Sequence, residues 1–184
     1  MDTKTNIDLY KFSSDNLLNW IVAFCIFEIP LAYFYLSISK KGDTIKDWYS
    51  GKTINIWNVI AQDMLYVICG IIIALRIFNY FVSKKVISKK FMNFIIVFIG
   101  VQLIGDLSFS LVIKNWPQTN TTKWISYFKN YINKAGLNAL FGDSLYVIAW
   151  SLSFYFVANY IKSYDTKVFI ISLFFFLTSA YSVQ

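Results

Sequence analysis

The feature that constrains this chain most is a series of five long apolar blocks, at about 17–37, 56–81, 91–113, 137–161 and 168–181. A helix rises about 1.5 Å per residue and a bilayer core is about 30 Å thick, so roughly 20 apolar residues make a span. The blocks predict an all-α integral membrane bundle of five transmembrane helices, the fifth being the shortest. Hydrophobic residues make up 57% of the 184 and charged residues only 15%, with two prolines and seven glycines, so long helices fit and soluble linkers do not. The first block follows sixteen residues that lack a basic start, and it is read as a span rather than a cleaved leader.

Four of these blocks each contain one acid: Glu28, Asp63, Asp106 and Asp143. A charge at the bilayer centre costs at least about 2.5 kcal/mol on insertion scales, so lipid-facing placement is disfavoured. With the helices alternating in direction, the three aspartates are expected about 6–9 Å outside the midplane, with Glu28 near it. Tyr66 and Tyr146 follow their aspartates by three residues, and Gln102 precedes Asp106 by four, so each shares its acid's helix face. Asn58 and Asn138 are expected nearer the outer mouth. These nine residues are the predicted ion- or ligand-binding set, lining a cavity that opens outward.

The acids recur in a pattern. "NVIAQDMLYVI" from Asn58 is matched by "NALFGDSLYVI" from Asn138. "NWIVAFCIFEIPLAYF" from Asn19 aligns without a gap on "NFIIVFIGVQLIGDLSF" from Asn93, which pairs Phe24 with Phe98 and Glu28 with Gln102. Because the matches include polar positions, they predict a duplicated two-helix hairpin (17–81 and 91–161), with an extra helix at 167–182. Between the third and fourth blocks, "TKWISYFKNYINKAG" spaces Trp124, Tyr127, Phe128, Tyr131 and Ile132 along one face and ends on Gly136, as expected of an amphipathic interfacial helix or a lid. "WYSGKTINIW" in the first outer loop is read as its shorter counterpart.

The net charge of +7 sets seventeen basic residues against ten acidic ones, and the basic residues fall nine on one side of the expected topology and eight on the other. The dense loop holding Lys84, Lys85, Lys89 and Lys90 favours a cytoplasmic N-terminus. The spread suits membrane orientation rather than nucleic-acid binding. Histidine is absent, which removes histidine triads and histidine-ligated metals. Cys25 and Cys69 lack redox-pair spacing and are expected to be buried free thiols.

"WYSGKTINIWNVIAQDMLYVICGI", "GDLSFSLVIKNWP" from Gly105 to Pro117 and "GDSLYVIAW" resemble segments of an uncharacterised bacterial and viral family of membrane proteins. The resemblance covers the first four spans. It implies a membrane bundle in which Asp106 and Asp143 matter, and it implies no activity.

Three function classes follow from this reading. The first is binding or transport of a small ion, a proton or a polar ligand at the acids. The second is lipid binding or a structural membrane role. The third, an intramembrane enzyme using paired carboxylates, is the weakest, because no nucleophile constellation accompanies the acids. The expected partners are the bilayer, a small cation, proton or lipid ligand, and a second copy of the chain. No cofactor, metal or catalytic residue is assigned.

Overall fold

The structure, a computed structural model, describes residues 8–38 and 55–182. The helices are α1 (Ser14–Ile38), α2 (Ile56–Ser83), α3 (Phe91–Lys114), α4 (Lys123–Ala135), α5 (Leu137–Tyr160) and α6 (Tyr164–Ser182), with one 3-10 turn at Gln118–Asn120. The described residues contain no strand. Four helices are long and apolar enough to cross a membrane: α1, α2, α3 and α5. Helix α6 is not among them, and its first turn carries Asp165 and Lys167. The expected counterpart helix in the first outer loop lies outside the described residues.

Local chemistry sets several helix ends. The Asn55 side chain accepts from Trp57 N at 2.8 Å and starts α2. Thr122 does the same for α4, accepting from Ile125 N at 3.2 Å. Gly136 ends α4 and opens α5 with φ +52, a left-handed conformation that glycine adopts without a Cβ penalty.

Aromatic contacts fix the direction of packing. Trp20 stacks on Phe154 at 3.9 Å, Phe24 meets Trp150 at 5.1 Å and Phe27 meets Tyr146 at 4.7 Å, so α1 runs antiparallel to α5. Helix α2 lies antiparallel to α3 through Phe78 against Phe94 and Tyr66 against Asp106. Helix α3 also packs on α5, with Phe91 against Tyr155. Helix α6 packs on α1 and touches α2, where Phe175 stacks on Trp57.

Among the described residues the second expected hairpin packs on itself, through α3 and α5, and the first does not. Among the described residues α1 and α2 share little direct contact, and α6 packs on both. The first helix of each expected hairpin also packs on the second helix of the other, α1 on α5 and α3 on α2. The reason lies in the side chains: Trp20 and Phe24 find their matching rings on α5.

The bundle is apolar on the outside as well as in its core. Met92, Ile96, Ile104 and Leu111 of α3 are exposed, while Glu28 and Gln102 are buried. Such a distribution suits lipid as the surrounding solvent. Cys25 is buried as expected, but Cys69 is exposed, because it falls on the outward face of α2.

The end bearing the lysine-rich loop is tied to the N-terminal segment. Lys89 bridges Asp8 at 3.0 Å, Asn16 Nδ2 donates to the carbonyls of Asp8 and Lys11, and Asn79 Nδ2 donates to Tyr10 O at 2.9 Å. The Lys89 ammonium holds the Asp8 carboxyl below its usual range, while burial pushes the Tyr10 phenol up.

Candidate functional site

The site lies at the opposite end of the bundle and is built from three helices. Gln102 and Asp106 are one turn apart on α3, so both project to the same side. Gln102 Nε2 donates to Asp106 Oδ1 at 2.8 Å. Tyr66, on α2, donates its hydroxyl to that same oxygen at 2.8 Å. Asp143, on α5, brings its carboxyl within hydrogen-bonding reach of Asp106, and Asp63 lies close enough to act on Asp143 through its charge.

A hydrogen bond between two carboxyl groups closes only when one of them carries a proton. Asp106 Oδ2 is buried and has no hydrogen-bond partner among the described residues. The aspartates are partly exposed, whereas Gln102 is buried. Tyr66 and Gln102 thus hold one oxygen of Asp106 between them, at the edge of a partly exposed cluster.

Backbone proximity makes this possible. A Cβ placed on Gly105 would sit 2.7 Å from Tyr66 Oη, so only glycine lets the phenol reach past α3 to Asp106. One turn deeper, a Cβ on Gly70 would meet the Phe98 ring at 3.2 Å.

Helix α4 covers this end. Trp124 Nε1 donates to Gln62 Oε1 at 2.5 Å, beside Asp63 in sequence, and Phe109 packs edge-on against Trp124 and Phe128. Ile125 and Tyr127 are buried. The aromatic face of α4 is thus turned onto the bundle. Gln62 and Gly105 were not among the expected residues. Gln62 is a lone amide with no pattern to mark it, and Gly105 reads as an ordinary small residue until the approach of Tyr66 is known.

The remaining expected residues separate from the cluster. Asn58 and Asn138 are exposed and contribute no side-chain bond to it. Five residues turn a helix by about 500°, so an asparagine five before an aspartate points some 140° away from it. Glu28 is fully buried on α1. Tyr146 packs its ring on Phe27 and Trp150, toward α1 rather than α3. Its buried hydroxyl has no hydrogen-bond partner among the described residues. No group of three metal-ligating side chains occurs among the described residues.

Comparison with protein-family models, with curated proteins and with solved structures finds no match in any of the three.

Proposed function

We propose that the chain is a multi-pass membrane protein whose Asp63, Asp106 and Asp143 bind a proton or small cation as part of transport. The observation that carries this reading is the convergence of three acids from three apolar helices, with Tyr66 and Gln102 directed at one of them. As packing glue, three carboxyls are a costly choice where serine or asparagine would serve. In this reading α6 is a shorter fifth span, and the N-terminus lies on the cytoplasmic side with the lysine-rich loop.

The chain also reads as a duplicated helix pair, and the packing registers support this. The repeat alignment sets Phe24 against Phe98, and Trp150 against Gly70. Phe24 contacts Trp150, and Phe98 contacts Gly70, so the α1–α5 and α3–α2 interfaces share one register. Helix α6, packed on both α1 and α2, breaks the symmetry.

Purified protein in liposomes tests the function. A proton or alkali-cation gradient should drive flux above that of empty vesicles, and Asp143→Asn and Asp106→Asn should each abolish it. Equal flux in the wild type and both variants would overturn the proposal. A lipid head group as ligand is the second reading, favoured by the Phe109, Trp124 and Phe128 rings around the lid. Native mass spectrometry on mild detergent extracts would show a co-purifying lipid that Trp124→Ala releases.

A further inference from the structure

Helix α2 has two faces. Ile60, Val67, Ile71, Ala74, Leu75 and Phe78 are buried against the rest of the bundle. On the opposite side Cys69, Ile73, Arg76, Tyr80 and Lys84 are all exposed. At about 100° per residue these five fall within about 80° of arc, so they form one strip along the helix. The strip is apolar toward the middle of α2 and cationic toward the lysine-rich end.

The length of α2 sets their depth. Its 28 residues rise about 42 Å, close to the thickness of a bilayer with its head groups. A hydrocarbon core of about 30 Å centred on the helix ends near Tyr80, which puts Arg76 about one turn inside it. An arginine at that depth calls for a counter-ion. Among the described residues neither Arg76 nor Lys84 has a carboxylate within salt-bridge distance, and the bridge at this end joins Lys89 to Asp8. Lys84 folds back along the strip, with its ammonium 5.9 Å from the centre of the Tyr80 ring. Two cationic residues thus flank the phenol along the helix, at the level where lipid phosphates begin.

We propose that this strip binds an anionic phospholipid of the leaflet at the lysine-rich end. Arg76 and Lys84 hold the phosphate, the Tyr80 hydroxyl donates to it, and the acyl chains lie over Ile73 and Cys69. The inference rests on the membrane reading above and not on the aspartate cluster. Charge complementarity selects the occupant. A zwitterionic lipid brings its own ammonium into a field of lysines, whereas an anionic head group brings only negative charge. Lys85 and Lys90, also exposed, add to that field.

The test is native mass spectrometry of the full chain, purified in neutral detergent and given phosphatidylglycerol or phosphatidylcholine. The expected result is an adduct of one phosphatidylglycerol, held in preference to phosphatidylcholine. Arg76→Gln and Lys84→Gln should each weaken it about fivefold, the effect of removing one cation near a charged lipid surface. Arg76→Lys, which keeps the charge, should lose less. Lys134→Gln, at an exposed position on α4 at the far end, should bind as the wild type does. Equal binding of the two lipids would overturn the site. So would undiminished binding in both Arg76→Gln and Lys84→Gln, or an equal loss in Lys134→Gln. Should Arg76→Gln fail to fold, Lys84→Gln at the helix end decides alone. The membrane reading fails separately, if alkaline carbonate strips the chain from vesicles of the same lipids.

Discussion

The two ends of the bundle use the same helices for opposite purposes. At the lysine-rich end, Trp20 sits among Phe94, Phe98, Trp150 and Phe154, with Tyr10 and Phe78 beside them. Rings are buried there against rings, and the N-terminal segment is tied down by side-chain hydrogen bonds. At the other end, α2, α3 and α5 bring carboxyls together, and glycine replaces a side chain so that a phenol can reach them. Packing at the first end stabilises the fold; the second holds groups that cost stability. The contrast teaches that a small bundle of apolar helices can bring costly carboxyls together when its packing is concentrated elsewhere on the same helices.

The largest expected effect tests the aromatic end. Trp20→Ala removes a ring with four aromatic neighbours and should cost about 3–5 kcal/mol, as large-to-small core changes do. Denaturant unfolding in micelles measures it, and a loss near zero would erase the contrast. Next, Gly105→Ala should cost about 1–3 kcal/mol by forcing Tyr66 away from Asp106. Gly100→Ala on the same helix meets nothing within 4 Å and should be close to neutral, so the pair isolates the tyrosine's approach from helix propensity.

How much of this was legible in the sequence depends on the residue. Four of the five expected spans are helices long and apolar enough to cross a membrane, as block length implied, and the fifth is not. The bond from Gln102 to Asp106 followed from their spacing of four. Tyr66 was placed on the right face, but its partner on α3 could not be read, because spacing within one helix says nothing about which neighbour it meets. Asn58 and Asn138 are expected nearer the outer mouth; both are exposed, and a spacing of five carries them off the face of their aspartates. The pairing of α1 with α5, and of α6 with both α1 and α2, depends on ring-to-ring fit between distant segments, which a pattern of apolar residues does not encode.

Smaller effects refine the comparison. Trp124→Phe keeps a ring against Phe109 and removes only the bond to Gln62, so it should cost about 0.5–1.5 kcal/mol. Thermal unfolding of Trp124→Phe beside Gln62→Leu checks this, since the two losses should coincide. The smallest effect belongs to Asp8 and Lys89, both about half exposed. The Asp8 carboxyl is held below its ordinary range, so its contribution is present above the unfolded-state value and is lost as pH falls through the folded one. Solvent and salt screen such a pair, and Asp8→Asn should shift the acid limb of a stability–pH curve only slightly, less so in high salt.

The central claim is that Asp106 and Asp143 face each other inside the bundle. With Cys25 and Cys69 replaced by serine, paired cysteines at 106 and 143 can be treated in native membranes with a short thiol cross-linker. The account predicts a cross-link there and little or none for cysteines at Ile104 and Leu145, which lie on the same two helices with exposed side chains. No link at 106 and 143, or a link formed as readily at 104 and 145, would contradict it.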